Sequence, residues 1–246
     1  MNIHADLIEA KKNGRKRLAI LIDPDKVNEQ SLSSLITSCV ESEVDYLFVG
    51  GSLLTHGDLN ACVLQIKKSC TIPVVIFPGS HQQIDENADA LLLLSLISGR
   101  NPEYLIGQHI TAAPRLKQAG IELIPTGYIL IDSGNQTTVQ YVSNTTPVPA
   151  DKPDIAACTA LAGEQLGLKV IFAEAGSGAK NPVDAATIKA IRAMITVPLI
   201  VGGGIRTIEK AIENCEAGAD VIVIGNSVEK DQGLIQQFAK AIKAYR

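Results

Sequence analysis

The 246-residue chain has no C-x-x-C pair, no long basic run, no membrane-length apolar stretch and no linker-like segment. Each absence removes a class of protein. The net charge is −4, and the longest basic cluster is the short Lys11–Arg17 stretch, so there is no electrostatic footprint for nucleic acid. That cluster falls where a first helix should end, a position that favours cations. The run Ala88–Ile97 is too short to cross a bilayer, which takes about 20 residues. The start, Met1–Lys12, carries Asp6 and Glu9 in place of the continuous apolar core of a signal peptide. No stable membrane insertion is expected, so a lipid-like substrate would be met in a groove or at a membrane surface. The five cysteines, an odd number without paired spacing, fit reduced and mostly buried thiols of a cytoplasmic protein. His4, His56, His81 and His109 show no metal-ligand spacing. With no linker to divide it, the chain is expected to form a single domain over residues 1–246.

What is present is an aliphatic-rich alternation. Hydrophobic residues make up 46% of the chain and charged residues 20%, enough for a large core. From Arg17 onward, short apolar runs alternate with longer amphipathic ones, the pattern of repeated βα units around a parallel sheet. Strands are expected at Leu18–Ile22, Asp45–Val49, Pro73–Phe77, Ala88–Leu94, Gly127–Ile131 with Ile121–Pro125 ahead of it, Val170–Phe172, Pro198–Val201 and Val221–Ile224. Helices are expected over Tyr104–Gln118, with Gly120 as its stop, over Ile155–Leu166 and over Asp231–Ala244. One connection is too short: His81–Asn87 leaves little room for a crossover helix, which takes about a dozen residues. The third helix should therefore be missing, leaving a gap in the outer ring. The polar stretch Asp132–Lys152 reads as a lid or binding loop. Eight βα units in this length predict an α/β fold, a modified (β/α)₈ TIM barrel. A doubly wound open sheet is the alternative, but it would place a glycine-rich turn after the first strand, where this chain has Asp23-Pro24-Asp25-Lys26.

The last three strands each end in small residues: Glu174-Ala-Gly-Ser-Gly178, Gly202-Gly-Gly204 and Gly225-Asn-Ser227. Such turns before helix starts let backbone N–H groups approach an anion, and three in succession suggest one phosphate site. In a barrel, Asp23 and Ser52 end the first two strands at the same mouth. A hard cation such as Mg²⁺ takes one or two carboxylates plus phosphate oxygens, so Asp23 with the Ser52 hydroxyl is a candidate set. Equally, Asp23 is placed to cap the turn that follows it. Glu174 interrupts an apolar strand end beside the phosphate turns, a costly position unless it handles a proton or orients a hydroxyl. Pairing with Lys180 or another cation is its structural alternative. Ser177 fits a phosphate contact better than a nucleophile, since no His partner can be named. Arg100 and Asn101 either hold a second anion or start the next helix.

Taken together, Leu21-Ile-Asp23-Pro24-Asp25-Lys26, Val49-Gly50-Gly51-Ser52, Phe172-Ala-Glu174-Ala-Gly176-Ser-Gly178, Gly202-Gly-Gly-Ile205 and Ile224-Gly225-Asn226-Ser227 resemble the geranylgeranylglyceryl phosphate synthase family. That family includes the bacterial heptaprenylglyceryl phosphate synthases, and the matches run in order from the first strand to the eighth. The resemblance implies a barrel whose third helix is replaced, and Mg²⁺-dependent transfer of a geranylgeranyl group from its diphosphate to the 3-hydroxyl of sn-glycerol 1-phosphate. It places Asp23 and Ser52 on the metal positions. Phe172, Ala173, Glu174, Ala175, Gly176, Ser177, Gly178, Gly203, Gly204, Gly225 and Asn226 fall on the glycerol-phosphate site, with Glu174 as the catalytic carboxylate. Two positions depart from the pattern: many members have Tyr in place of Phe172 and Lys in place of Leu21, and Lys26 is a candidate to compensate for the second. The similarity to the second subgroup implies a homo-oligomer, with a hexamer as one form. The gap near Phe77–Ile97 is the expected prenyl groove, with Ser80, Ser95, Ser98 and Gly99 leaving room. A different prenyl length, a sugar-phosphate isomerase or lyase barrel, and a non-catalytic phosphate-binding barrel are the competing readings.

Overall fold

Buried Val, Ile and Leu runs with apolar partners on both faces form the strands of a parallel sheet covered on each side. In the computed structural model, which describes residues 2–245, the chain begins with helix α1 (Ile3–Lys12), followed by β1 (Arg17–Ile22), α2 (Glu29–Glu41), β2 (Tyr46–Val49), α3 (Leu59–Ser69), β3 (Val74–Ile76) and β4 (Ala90–Leu96). A π-helical turn (Glu103–Gly107) leads into α4 (Gln108–Ala119), and β5 (Glu122–Leu130), α5 (Thr138–Ser143), α6 (Pro153–Gln165) and β6 (Val170–Glu174) follow. The chain closes with α7 (Ala185–Met194), β7 (Leu199–Gly202), α8 (Ile208–Glu216), β8 (Val221–Ile224), α9 (Asn226–Lys230) and α10 (Gly233–Ala244). The strands are all parallel and form a closed barrel in sequence order, with Arg17 of β1 opposite Val221 of β8. The expected modified (β/α)₈ barrel is the fold observed.

Period-two alternation sorts the strand residues into two cores. Ala19, Phe48, Leu92, Phe172, Ile200 and Val223 fill the barrel. Leu18, Leu47, Leu91, Ile171 and Ile222 belong to the layer under the helices. Helix α1 closes the end away from the strand C-termini: Ile3 and Leu7 pack into the interior core, and the amides of Ile3 and His4 donate to the Glu122 carboxylate at 2.6 and 2.9 Å. A carboxylate at a helix N-terminus satisfies amides that have no partner within the helix.

Between β3 and β4 the described chain has no helix, as the short connection predicts. The fourth strand starts at Ala90, two residues later than expected, because Asp89 is engaged as a clamp. Its carboxylate accepts the amide of Val74 at 2.7 Å and the Lys67 ammonium at 2.8 Å. Arg115 of α4 reaches across the gap and donates to the carbonyl of Ile84 at 2.8 Å. Strand β5 is continuous through Pro125, whose carbonyl accepts from Lys169. The polar stretch 132–152 is not wholly irregular. It holds α5 and a strand-like bridge between Ile131 and Val148, and is tied down by Asn101 Nδ2 donating to the Ser143 carbonyl at 2.7 Å.

Candidate active site

The C-terminal ends of the strands open into a cavity of about 1080 Å³. On the β1–β2 side, Ile22 lies opposite Val49, which brings Asp23 beside the Gly50–Ser52 turn. A Cβ on Gly51 would come within 3.1 Å of Asp23 Oδ1, so the carboxylate lies directly against the turn that carries Ser52. The capping role is also real: Asp23 Oδ1 accepts the Asp25 amide at 3.1 Å at the start of a 3₁₀ turn, Pro24–Lys26. Two further side chains, Asp25 within the Asp-Pro-Asp-Lys motif and Gln83 outside every motif, tie down the loops around this side of the mouth. The Asp25 carboxylate accepts the amides of Thr55, His56 and Gly57 at 2.8, 3.2 and 2.6 Å and the Thr55 hydroxyl at 2.9 Å. These bonds, led by the Thr55 amide, hold its pKa far below the usual carboxylate range. Buried Gln83 donates to the Gly51 carbonyl at 2.8 Å and accepts the Gly79 amide at 3.1 Å, joining two turns.

On the β6–β8 side, Glu174 ends β6 opposite Gly202 and is 5% exposed. Its Oε1 accepts the Gly176 amide at 2.8 Å. A Cβ on Gly202 would fall 2.5 Å from the carboxylate and one on Gly203 closer still, so glycine at these positions makes room for Glu174 as well as for a ligand. Gly203 also needs its positive φ of 82°. Among the described residues Glu174 is in no ion pair, so the structural alternative of a Lys180 partner is not realised. Burial pushes its pKa up to about 7, against the opposing hydrogen bond from Gly176. Gly176, Ser177, Gly178, Gly203, Gly204, Gly225 and Asn226 all line the cavity with Asp23 and Ser52. Phe172, Ala173 and Ala175 lie behind that wall: the Phe172 ring is in the barrel core, and the two alanines face the outer layer. They shape the site without presenting side chains to it. Arg206 braces the glycine turn by donating to the carbonyls of Ala179 and Lys180, and Asn135 Oδ1 accepts the Lys180 amide at 2.7 Å.

Away from the polar mouth, the cavity runs between the outer face of β4 and α4, lined by Ile84, Leu91, Leu93, Ala112 and Leu116. This is the gap left by the absent helix. Ser80 lines it as expected, and so do His81 and His109, which sequence spacing left without a role. Ser95 lies 3.3 Å from His109 Nε2. Ser95, Ser98 and Gly99 are not in this wall; Ser98 Oγ accepts the Leu130 amide at 2.9 Å, and Gly99 packs on Thr145. Arg100 and Asn101 are spent on structure, Arg100 donating to the Gly99 carbonyl at 2.8 Å and Asn101 accepting the Glu103 amide at the helix start.

A family model described as the PcrB family matches residues 11–245. The chain belongs to the PcrB family. Among its relatives, a geranylgeranylglyceryl phosphate synthase of Chitinophaga pinensis is 54% identical over 242 residues, covering 98% of this chain and 96% of that one. A protein of the same name from Thermococcus gammatolerans is 43% identical, covering 96% and 93%. The crystal structure of (S)-3-O-geranylgeranylglyceryl phosphate synthase from Thermoplasma acidophilum, in complex with its substrate sn-glycerol-1-phosphate, superposes with a TM-score of 0.92 at 30% identity, covering 99% of each chain.

In this PcrB chain, the phenol absent at Phe172 has a neighbour one strand away. Tyr128 of β5 is the register partner of Phe172, its ring edge-on at 5.5 Å, with Phe77 stacked on Phe172 at 5.0 Å. Tyr128 lines the cavity, and burial together with the Glu174 charge raises its pKa well above the usual value. Only the strand register exposes this pairing. Among the described residues no group of three or more His, Cys, Asp or Glu side chains is placed to hold a metal. Asp23 and Ser52 both line the cavity, and a carboxylate and a hydroxyl are the hard oxygen donors suited to an ion whose other ligands are substrate phosphate oxygens and water.

Proposed function

We propose that this PcrB chain is a geranylgeranylglyceryl phosphate synthase, joining geranylgeranyl diphosphate to the 3-hydroxyl of sn-glycerol 1-phosphate and releasing diphosphate. The observation that carries the reading is Glu174, a buried carboxylate poised near pH 7 at the floor of a glycine-walled anion site. A base with its pKa near the working pH best serves a proton transfer from a hydroxyl.

The glycerol phosphate sits with its phosphate on the amides of the turns at Gly176–Gly178, Gly203–Gly204 and Gly225–Asn226, which directs its 3-hydroxyl to Glu174. A new bond forms between that oxygen and C1 of the prenyl group. The bond from C1 to the diphosphate oxygen breaks, and its electron pair leaves with diphosphate. The hydroxyl proton passes to Glu174. The Gly176 amide holds Oε1, and Oε2 receives no hydrogen bond from the described residues, which leaves it for the substrate. Asp23 and Ser52 would hold Mg²⁺, which supplies charge stabilisation on the departing diphosphate. The apolar channel between β4 and α4 takes the prenyl tail and keeps water from the reacting carbon. Prenyl chains of other lengths fit the same chemistry.

The same reading makes the chain a homo-oligomer, a hexamer among its forms. Ile106 and Ile110, four residues apart and 57% and 68% exposed, are suited to a subunit contact. The activity is tested by mass spectrometry of the products from sn-glycerol 1-phosphate and a mixture of prenyl diphosphates with Mg²⁺. Geranylgeranylglyceryl phosphate is the expected main product, and no product from any prenyl diphosphate would sink the reading.

A further inference from the structure

Two anionic substrates entering one mouth pose an electrostatic problem. The cavity is lined by the carboxylates of Asp23, Asp25, Glu174, Glu229 and Asp231, whereas the permanent cations among its described lining residues are Lys26 and Arg206. Arg206 is turned away, since its guanidinium donates to the carbonyls of Ala179 and Lys180. Lys26 is differently placed. Its Nζ lies 3.1 Å from Asn226 Oδ1 and 3.2 Å from Glu229 Oε1, both beyond the end of β8, and 3.6 Å from Asp23 Oδ2 at the end of β1. Side chains three residues apart on a 3₁₀ turn lie over one another, so the Asp-Pro-Asp-Lys spacing itself sets the ammonium above Asp23. The closure of β1 against β8 then brings it to Asn226, 200 residues away in sequence.

We propose that Lys26 is a substrate-binding residue shared by the two anion sites, its ammonium bridging the diphosphate at the Asp23 side and the phosphate at the Asn226 side. The proposal rests on the reading of the site as one that holds both substrates. Three N–H donors on one tetrahedral ammonium suit it to oxygens converging from different directions. Its side chain is 40% exposed, so an entering anion meets it without rearrangement of the barrel. Before substrate arrives the Glu229 carboxylate occupies the ammonium, and a phosphate oxygen then displaces it from that hydrogen bond. With Leu21 apolar, Lys26 is the amine available at this end of β1.

The test compares Lys26→Met, Lys26→Arg and Glu229→Gln by calorimetric titration with inorganic diphosphate and, separately, with sn-glycerol 1-phosphate, neither of which needs turnover. Lys26→Met should weaken both ligands by on the order of 10-fold or more, as expected for loss of a charge-assisted hydrogen bond. Lys26→Arg should stay within a few-fold of the parent, and Glu229→Gln should tighten diphosphate by freeing the ammonium. Melting temperatures should be unchanged. Lys26→Met binding both ligands within twofold of the parent overturns the proposal, as does a loss that tracks a lowered melting temperature and is not restored by arginine. If the protein forms no prenyl product but Lys26→Met still weakens both ligands, Lys26 keeps its role and the prenyltransferase reading alone fails.

Discussion

On the β6–β8 side the mouth is walled largely by the backbone of glycine turns closed over one carboxylate. On the β1–β4 side the wall is irregular chain held in shape by side chains, with Asp25 gathering the loop after β2 and Gln83 tying Gly51 to Gly79. The difference follows from what each side must do. A compact phosphate is best held by fixed amides, and a long apolar tail needs an opening that a regular crossover helix would block. The barrel therefore spends its regularity on one half and gives it up on the other. Apart from Lys26, which lies where the two halves meet, changes in the backbone half should act on chemistry and phosphate binding, and changes in the clamped half on the prenyl substrate.

The largest effect is expected from Glu174→Gln, which keeps the shape and removes the base. Steady-state turnover should fall by about 10²- to 10⁴-fold. In the parent, kcat/KM should rise with pH and level off above about 7 as Glu174 ionises. Stability runs the other way. A carboxyl whose pKa is raised by folding holds its proton more tightly in the native chain than in the unfolded one. Its contribution is present below the unfolded value, about 4.3, and is lost as pH rises towards about 7. Glu174→Gln removes that loss, so the melting temperature of the variant should gain on the parent through this window. A variant that loses stability at pH 8 along with activity would mean that the charge is structural, and the backbone half would lose its chemical role.

Gly203→Ala comes next. The added methyl runs into the Glu174 carboxylate, and the φ of 82° costs an alanine about 1–2 kcal/mol on its own. Calorimetry should show sn-glycerol 1-phosphate binding weakened by on the order of 10-fold or more, with inorganic diphosphate much less affected. Equal loss of both ligands would erase the distinction between the halves.

The two halves were also unequally legible in the sequence. The glycine turns, Glu174, Asp23 and the missing third helix all leave local marks: a run of small residues, a charge at the end of an apolar strand, a connection too short for a helix. Those features appear where the pattern puts them, within two residues for the start of β4. Gln83 and Tyr128 carry no such mark, and Asp25, though inside the Asp-Pro-Asp-Lys motif, gives no sign of its partners, because these roles are relations across the chain. Gln83 matters through Gly51, 32 residues back, and Tyr128 through a register with Phe172 that only strand pairing fixes. His81 and His109 line the groove, a placement that no spacing in the sequence marks. Phe172, Ala173 and Ala175 show the converse limit: a contiguous motif places seven residues together, but the strand turns Ala173 and Ala175 to the outer layer and sets Phe172 below Glu174 in the barrel core.

Gln83→Ala should give the smallest effect and test the clamped half most directly. It leaves the Gly79 amide without its 3.1 Å partner and frees the Gly51 carbonyl, at a cost of about 1–3 kcal/mol in stability. Because Ser52 follows Gly51 in the same turn, the loosened turn should raise KM for the prenyl diphosphate several-fold while kcat and KM for sn-glycerol 1-phosphate stay near the parent's. A Cβ on Gly79 would collide with the Gly51 carbonyl, so Gly79→Ala should reproduce the same KM change by pushing the two turns apart instead of releasing them. Agreement between the two variants would locate the effect in the spacing of the turns. If Gln83→Ala instead damages glycerol-phosphate binding more than Gly203→Ala does, the irregular segment is organising the whole mouth, and the division into a backbone half and a clamped half is wrong.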